Sequence, residues 1–128
     1  MIKKVLFFGR HDCLYSQKIY SLLKKNFDNV TFIKSKEMGK KLDENKRKYK
    51  KNFDYVFCFR SYFILNKILK RVKFFAINFH PCTPKYRGAG GVNYSIYNDK
   101  YFGCTAHLMD KNIDSGKIID VKYFKIKK

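Results

Sequence analysis

The chain has 128 residues, 45% of them hydrophobic, which is enough for one domain that buries roughly two thirds of its unfolded surface and excludes a disordered basic tail. Its formal net charge is +19, from 29 lysine and arginine residues against 10 acidic ones, and this predicts attraction to polyanions such as nucleic acid, acidic membrane or phosphate-bearing molecules. The basic residues are scattered over the whole length without a recognised nucleic-acid motif, so we expect no specific nucleic-acid partner.

The cysteines and the apolar segments limit the class of protein further. Four cysteines are irregularly spaced without a C-x-x-C pair, so neither a zinc site nor a disulfide framework is indicated, and we expect no metal. No signal peptide is recognisable, and no apolar stretch approaches the roughly 18 residues of a membrane span. We therefore expect a soluble, cytoplasmic protein with no membrane partner.

The chain alternates apolar runs typical of buried strands with segments of helical spacing. The predicted strands cover residues 5–8, 30–33, 53–59 with a continuation through 63–65, 72–77, 102–109 and 117–126, and the predicted helices cover residues 15–27, 66–71 and 92–97. This alternation predicts an α/β fold, in which a Rossmann-like, mostly parallel sheet carries helices on both faces. The lysine-rich residues 34–51 predict either a surface helix with a thin apolar stripe or a partly ordered loop.

The loop between the first predicted strand and the first predicted helix contains Gly9, Arg10 and His11. A strand, a tight loop and a helix amino terminus form a natural anion site, and Asp12 or Ser16 is expected to cap the helix. His11 fits either contact with an anion or exposure to solvent. Gly9 stands alone, without the G-x-G-x-x-G pattern, so no nicotinamide or flavin site is indicated.

A polar and glycine-rich segment, residues 78–91, follows the fourth predicted strand. Asn78 and His80 leave the strand end two residues apart and project on the same side, and Pro81, Pro84 and three glycines prevent regular structure after them. Ligands of open α/β sheets bind at this edge, where an amide and an imidazole together can polarise a carbonyl group and transfer a proton. The alternative is a loop histidine with satisfied hydrogen bonds beside a turn asparagine.

Two aspartates near the end of the chain are candidates for the same site as Asn78 and His80. Asp110 and Asp114 lie in a turn-rich loop, and either carboxylate, with Asn78 and His80, would complete a site for acyl transfer to an amine. His107, on the strand before that loop, is expected to be packed or hydrogen-bonded rather than a second catalytic residue. The spacing of these residues alone does not choose the reaction.

Four motifs, in this order, resemble one known family. They are Asn78-Phe79-His80-Pro81, Tyr86-Arg87-Gly88, residues 103–110 (GCTAHLMD) and residues 113–119 (IDSGKII). They are similar to the catalytic domain of the 10-formyltetrahydrofolate-dependent formyltransferases, which include glycinamide ribonucleotide transformylase, methionyl-tRNA formyltransferase and the sugar N-formyltransferases. The resemblance implies transfer of a formyl group from the cofactor 10-formyltetrahydrofolate to a primary amine.

Carried over residue by residue, the resemblance makes Asn78 the donor to the formyl oxygen, His80 the catalytic imidazole and Asp114 its carboxylate partner. The residues that it places against the cofactor, largely through backbone groups, are Arg60, Ser61, Tyr62, Phe63, Ile64, Leu65, Lys111, Asn112 and Ile113. The residues that it places against the acceptor substrate are Gly9, Arg10, His11, Pro81, Thr83, Tyr86, Arg87 and Gly88. The phosphate of that substrate is expected beside the first loop.

Some residues near Asn78 and His80 resemble one branch of the family more than the others, and the branch implies the acceptor. Phe79, residues 81–84 and the pair Asn93-Tyr94 look most like the sugar N-formyltransferases, which implies a nucleotide-linked amino sugar. Methionyl-tRNA or another amine is the alternative within the family, and a degenerate protein that binds folate or nucleic acid without turnover is the alternative outside catalysis. We expect residues 1–128 to form a single catalytic domain without the family's usual carboxyl-terminal extension, and a homodimer is compatible with the sequence.

Overall fold

A computed structural model describes residues 2–86, 91–99, 101–109 and 116–127 of the chain. The strands are β1 (Lys4–Arg10), β2 (Asn29–Ser35), β3 (Phe53–Phe59), β4 (Val72–His80), β5 (Tyr101–Leu108) and β6 (Ile118–Lys125), and the α-helices are α1 (Leu14–Asn26) and α2 (Gly91–Asn98). The strands form a mixed, mostly parallel sheet, so the predicted Rossmann-like α/β fold is confirmed. No helix in the described residues is long and apolar enough to cross a membrane.

The chain divides into two compact units, Met1–Ile77 and Asn78–Lys128. In the first unit the strand order is β2-β1-β3-β4, and in the second it is β4-β5-β6, because β4 crosses the boundary. The sheet therefore contributes strands to both units, and each unit is described by itself.

The core of the first unit is built on β1. This strand pairs in parallel with β2 on one side and with β3 on the other, so that Phe7 lies opposite both Phe32 and Phe57. A central strand of a parallel sheet is buried on both faces and needs a continuous apolar run, which residues 5–8 supply with exposed fractions of 3% or less. Phe7 and Phe32 also pack ring to ring, with centroids 4.9 Å apart.

Helix α1 begins at Leu14, after Cys13, which occupies the N-cap position without a side-chain capping hydrogen bond. The predicted capping by Asp12 or Ser16 is therefore wrong. Asp12 has a left-handed backbone, with φ of 52°, and the Ser16 hydroxyl instead accepts a hydrogen bond from the Arg10 backbone N–H at 3.1 Å. Because Ser16 is fully buried, this bond ties the first turn of α1 to the end of β1.

Residues 36–52 connect β2 to β3 as a loop that contains one short 3-10 helix, Arg47–Tyr49. The predicted surface helix is wrong and the segment is a loop, because a segment so rich in lysine has too few apolar side chains to hold a helix on a core. The loop is anchored at two points: the Tyr49 side chain is buried, and the Glu44 carboxylate accepts hydrogen bonds from the backbone N–H groups of Asn66 and Ile68 at 3.0 and 2.9 Å.

The segment between β3 and β4 is irregular where the sequence predicted a strand. β3 ends at Phe59, and Arg60 has a left-handed backbone with φ of 54°, which turns the chain out of the strand. The predicted continuation of this strand through residues 63–65 is therefore wrong. The helix predicted at residues 66–71 is a short 3-10 helix, Ile68–Arg71.

In the second unit, β5 and β6 form an antiparallel pair, in which Gly103 lies opposite Tyr123 and Thr105 opposite Val121. Alternate residues of β5 are buried, whereas nearly all of β6 is exposed. Helix α2 begins at Gly91, so the expectation that this glycine belongs to irregular structure is wrong. Glycine is well accepted at the start of a helix, where the backbone is only partly constrained.

Gly103 allows the close approach of β5 and β6. A Cβ atom there would lie 2.6 Å from the Lys122 carbonyl oxygen, a backbone atom that cannot move without disturbing the strand pair. We expect Gly103→Ala to lower the free energy of unfolding by about 1–3 kcal/mol, measured by urea denaturation. The matched variant Gly9→Ala should lose less, since its nearest contact, at 2.9 Å, is the Phe32 side chain. A wild-type midpoint for Gly103→Ala would contradict the close approach.

Candidate active site

Asn78 and His80 are the third-last and the last residues of β4, Val72–His80. The sequence predicted that they follow the strand, whereas in the structure the strand includes them. Residues two apart in a strand project to the same side, and both of these side chains are half-buried. The carboxyl end of β4 therefore presents an amide and an imidazole together.

His107 of β5 holds the Asn78 amide. Asn78 Nδ2 lies 3.2 Å from His107 Nε2, and His107 Nδ1 lies 3.2 Å from the Leu108 carbonyl oxygen. Because a carbonyl oxygen can only accept, Nδ1 carries the proton of neutral His107, and Nε2 accepts a hydrogen bond from the amide. His107 is 4% exposed, so the expectation of a packed, hydrogen-bonded histidine is confirmed.

The loop after β4 holds His80. The His80 Nε2 atom lies 3.0 Å from the Tyr86 carbonyl oxygen, so Nε2 carries a proton and Nδ1 is the basic nitrogen of the neutral ring. Two backbone hydrogen bonds close the loop, from the Cys82 N–H to the His80 carbonyl at 2.8 Å and from the Tyr86 N–H to the Thr83 carbonyl at 3.2 Å. The tautomer and the orientation of the imidazole are thus set by backbone atoms.

The predicted acceptor contacts in this loop differ in burial. Pro81 and Tyr86 are half-buried, whereas Thr83 is buried. The neighbouring Cys82 is also buried, and its carbonyl oxygen accepts a hydrogen bond from Thr105 Oγ1 at 2.7 Å. The Cys82 carbonyl therefore attaches the loop to β5, and Lys85 is the exposed residue among 81–86.

An open cleft of about 420 Å³ lies beside the same loop. Its lining residues are Thr83, Pro84, Lys85, Asp99, Tyr101 and Tyr123. Lys85 Nζ lies 2.8 Å from Asp99 Oδ1 at the surface. The hydrogen bond from Lys85, with a second one from Tyr86, holds the pKa of the Asp99 carboxyl below its usual range, and the same bond to Asp99 raises the pKa of Lys85. The cleft therefore combines two exposed tyrosine rings with a charged pair.

In the first unit, Arg10 is held in one orientation at the end of β1. Its Nε atom donates to the Arg60 carbonyl oxygen at 3.1 Å, and its guanidinium lies 4.2 Å from the centroid of the Tyr62 ring. The nearby His11 imidazole lies 3.2 Å from the Asp12 carboxylate. The structure thus brings a predicted acceptor residue, Arg10, into contact with the segment predicted to bind the cofactor.

Ser35, at the end of β2, connects these loops. Its hydroxyl donates to the Gly9 carbonyl at 3.1 Å and accepts from the Tyr62 backbone N–H at 3.0 Å, while its carbonyl accepts from the His11 N–H at 2.8 Å. Ser35 is fully buried. A single buried serine therefore fixes the positions of Gly9 and His11 relative to the segment after β3.

The amino terminus of α1 stabilises negative charge. Burial alone would raise the pKa of the Cys13 thiol, but hydrogen bonds from Ser16 and from the Tyr15 backbone, with the nearby Arg60 charge, lower it. Arg60 Nη1 lies 3.8 Å from Cys13 Sγ. By contrast, burial raises the pKa of Cys58, which lies in β3 away from any helix start. Whether the loop at the end of β1 binds an anion stays a prediction, since the Asp12 carboxylate lies in the same loop as Arg10.

The predicted cofactor segment varies in exposure along its length. Leu65 is 2% exposed and belongs to the core, whereas Ile64 is 66% exposed. Tyr62 and Phe63 are half-buried, and the Phe63 N–H donates to the Ser61 hydroxyl at 3.2 Å. In this segment Ile64 is the most exposed side chain, while the Tyr62 ring lies against the Arg10 guanidinium and the Phe63 ring against Phe8.

Several predicted site residues lie outside the described residues: Asp114, Lys111, Asn112, Ile113, Arg87 and Gly88, together with Asp110. Their roles stay predictions. Within the described ranges, no group of three or more His, Cys, Asp or Glu side chains is placed to hold a metal ion.

Ser35, the Thr105 hydroxyl and His107 orient the site, and the sequence pattern does not predict their hydrogen-bond partners. A signal was present, because a Ser, Thr or His within or directly after an apolar strand run is buried, and buried polar side chains are normally hydrogen-bonded. The identity of the partner, however, depends on which strands are neighbours.

By sequence and by fold, the chain is similar to formyltransferases. It is 35% identical over 105 residues to the methionyl-tRNA formyltransferase of Mycoplasma capricolum, which covers 78% of this chain and 32% of that protein. A sugar N-formyltransferase from a Shewanella species shares the fold with a TM-score of 0.70 at 23% identity, over 99% of this chain and 59% of that one. The N-formyltransferase from Helicobacter canadensis, solved with folinic acid and dTDP-3-aminofucose, gives a TM-score of 0.72 at 24% identity, over 98% and 54%.

The extent of these matches is uneven. The aligned stretches amount to 20% to 32% of the length of the first curated relatives that the chain matches. The formyl transferase family model, however, matches residues 3–128, which is almost the whole chain and includes the loop after β1, the segment after β3 and the Asn78 and His80 pair. The resemblance inferred from the motifs is confirmed, and the chain belongs to the formyl transferase family.

Proposed function

We propose that this chain transfers a formyl group from 10-formyltetrahydrofolate to a primary amine. The main support is the pair of Asn78 and His80 at the carboxyl end of β4, each oriented by a hydrogen bond, in a chain of the formyl transferase family. Two proteins of similar fold, HypX of Aquifex aeolicus and the formyltransferase PseJ of Anoxybacillus kamchatkensis, were solved with tetrahydrofolate.

The described residues fit a flat, folate-like donor after β3. The Tyr62 and Phe63 rings and the exposed Ile64 side chain form an aromatic and aliphatic surface, and planar heteroaromatic rings bind well to such surfaces. When bound, the donor supplies an electrophilic formyl carbon. Lys111, Asn112 and Ile113, which the resemblance also assigns to the cofactor, lie outside the described residues.

In the proposed reaction, Asn78 donates a hydrogen bond to the formyl oxygen, where negative charge develops as the amine attacks. His107 keeps the nitrogen side of the Asn78 amide in place. His80 accepts the proton that the amine loses as the new carbon–nitrogen bond forms, and passes it to the nitrogen that leaves the formyl carbon. By resemblance, the Asp114 carboxylate stabilises the positively charged His80 ring.

For the acceptor we propose a nucleotide-linked amino sugar. The Shewanella protein of similar fold is a sugar N-formyltransferase, and the Helicobacter canadensis enzyme was solved with dTDP-3-aminofucose. In this chain, the loop at the start of α1 offers the cationic Arg10, the His11 side chain and a helix amino terminus, which together suit a diphosphate.

Methionyl-tRNA is a second candidate acceptor, favoured by the sequence relatives. Several curated methionyl-tRNA formyltransferases are 35% to 43% identical to this chain over the aligned stretches. The loop between β2 and β3 also exposes Lys46, Lys48, Lys50 and Lys51 around the buried Tyr49. Such a cluster contributes far more to the binding of a long polyanion than to the binding of one diphosphate.

Replacement of the catalytic pair tests the reaction. We expect His80→Ala to lower kcat about 100- to 10,000-fold, because no base remains for the amine proton. Asn78→Ala should lower kcat about 100- to 1,000-fold, because the oxyanion loses its donor. Initial rates are measured by the formation of tetrahydrofolate, and circular dichroism verifies that each variant is folded.

Two further variants make this test specific. His80→Gln can still donate to the Tyr86 carbonyl but cannot take up a proton, so it should be as slow as His80→Ala. Gln17→Ala changes an exposed position of α1 and should have wild-type rates. Turnover at the wild-type rate by His80→Ala would contradict the proposed mechanism.

The two acceptors differ in how they depend on the basic loop. With an amino-sugar nucleotide, the combined replacement of Lys48, Lys50 and Lys51 by Ala should change kcat/KM less than about twofold, because few phosphates are present. With methionyl-tRNA, the same replacement should lower kcat/KM about tenfold or more and reduce its dependence on salt. The test compares kcat/KM of the wild type and of the triple variant with each acceptor at two salt concentrations.

The control replaces Lys18, Lys24 and Lys25, which are exposed on α1, so that the net charge changes equally in both variants. A loss that is the same for the two triple variants indicates an effect of net charge alone. Transfer to methionyl-tRNA without transfer to any amino-sugar nucleotide would overturn the first choice of acceptor.

A further inference from the structure

The segment proposed to bind the formyl donor, residues 60–65, has no regular secondary structure. It follows β3 and precedes the 3-10 helix Ile68–Arg71. A strand or an α-helix is held by its own regular backbone hydrogen bonds, whereas an irregular segment depends on bonds to its neighbours. A binding surface must be fixed to within about 0.5 Å, so the neighbours that hold this segment matter to the donor.

The start of the segment is held by the ends of two strands. The Tyr62 N–H donates to the hydroxyl of the buried Ser35, at the end of β2, at 3.0 Å. Arg10 Nε, at the end of β1, donates to the Arg60 carbonyl oxygen at 3.1 Å. This part of the segment is therefore attached directly to the sheet.

A single carboxylate oxygen in the loop between β2 and β3 holds the other end. Glu44 Oε1 accepts from the Asn66 N–H at 3.0 Å and from the Ile68 N–H at 2.9 Å. Hydrogen bonds to an ionised acceptor are stronger than those between neutral groups. Because one oxygen is shared by two N–H groups, it fixes the direction of the backbone as well as its distance.

The apolar side chains at this end cannot replace Glu44. Leu65 is 2% exposed and Ile68 is fully buried, but apolar packing is non-directional, and the two residues between them, Asn66 and Lys67, are exposed. Removal of the Glu44 carboxylate takes away the acceptor of the part-buried Ile68 N–H, which costs free energy unless the backbone moves to another acceptor or to water. Such a movement would displace the end of the donor segment.

We propose that Glu44 is a positioning residue for the formyl donor, which fixes the carboxyl end of residues 60–65 through the backbone N–H groups of Asn66 and Ile68. This inference rests on the proposed function, because it takes residues 60–65 as the donor site. In this role Glu44 acts through the backbone and not by contact with the donor. The affinity for the donor therefore depends on where the acceptor oxygen lies more than on its charge.

Three replacements of Glu44 separate position from charge. Glu44→Gln keeps an acceptor oxygen at the same reach without the charge, Glu44→Asp keeps the charge on a shorter side chain, and Glu44→Ala removes both. We expect Ala and Asp to raise the KM for 10-formyltetrahydrofolate about tenfold and to change kcat and the KM for the acceptor less than about twofold. The Gln variant should stay within about threefold of the wild type in all three constants.

The split between KM and kcat distinguishes positioning from a merely structural role, which would lower the midpoint of urea denaturation without raising the KM for the donor alone. A wild-type donor KM in Glu44→Ala overturns the proposal, and so does a Gln variant as impaired as the Ala variant. Asn45→Ala is the matched control, because Asn45 Oδ1 accepts from Lys67 Nζ at 2.6 Å and joins the same two segments through side chains. It should keep the wild-type donor KM, and a rise equal to that of Glu44→Ala overturns the proposal.

Calorimetric titration with 5-formyltetrahydrofolate, a stable folate, separates this proposal from the proposed reaction. We expect Glu44→Ala to bind it about tenfold more weakly than the wild-type chain does. That result in a chain without turnover supports the positioning role and contradicts the transfer reaction. Equal binding by the two proteins overturns the positioning role and leaves the reaction standing, whereas a folded wild-type chain that binds no folate overturns both.

Discussion

Hydrogen bonds from imidazole rings to backbone carbonyl oxygens determine which nitrogen of each histidine is basic. The Tyr86 carbonyl lies 3.0 Å from His80 Nε2, and the Leu108 carbonyl lies 3.2 Å from His107 Nδ1. The two rings therefore use opposite tautomers: His107 Nε2 accepts from the Asn78 amide, and His80 carries its proton on Nε2. The geometry of Asn78 and His80 thus depends on the backbone of the loop after β4 and on that of β5.

That backbone is placed by small residues and by one hydroxyl. The Thr105 hydroxyl attaches the loop to β5 through the Cys82 carbonyl. Gly103 allows the Lys122 carbonyl to approach, and a Cβ at Gly116 would overlap the Leu108 carbonyl, the same group that fixes the His107 tautomer. A larger residue at Gly116 would displace the Leu108 carbonyl that orients His107, so the packing of this unit and the geometry of Asn78 are coupled.

The sequence predicts the order of the strands well and their ends less well. The buried run of residues 5–8 predicts a central strand because burial on both faces requires it. The ends depend on tertiary hydrogen bonds: Ser16 bonds to Arg10 instead of capping α1, and the left-handed Arg60 ends β3 where apolar residues continue. Gly91 starts a helix although its neighbours predict a loop.

For the candidate site, the sequence motif predicts the functional side chains Asn78 and His80 but not the residues that hydrogen-bond to them. Asn78 and His80 could be predicted as a pair because a strand places alternate residues on one side. The contact between Asn78 and His107 spans 29 positions of the sequence and exists only because of the neighbouring strand. Neither propensity nor spacing encodes such a contact. The contacts of Ser35 with Gly9 and Tyr62 likewise span 26 and 27 positions and depend on which strands are neighbours.

Several carboxylates in the described part of the chain accept hydrogen bonds from backbone N–H groups. Glu44 accepts from two backbone N–H groups before β4, Asp54 accepts from the Lys4 N–H at 2.7 Å, and Asp120 accepts from the Val121 N–H. Several lysines instead lie over aromatic rings, as Lys3 does over Phe74 at 4.5 Å. Because 29 basic residues stand against only 10 acidic ones, most of the positive charge is not neutralised locally. The resulting field attracts polyanions in general, so the net charge alone does not discriminate between the two proposed acceptors.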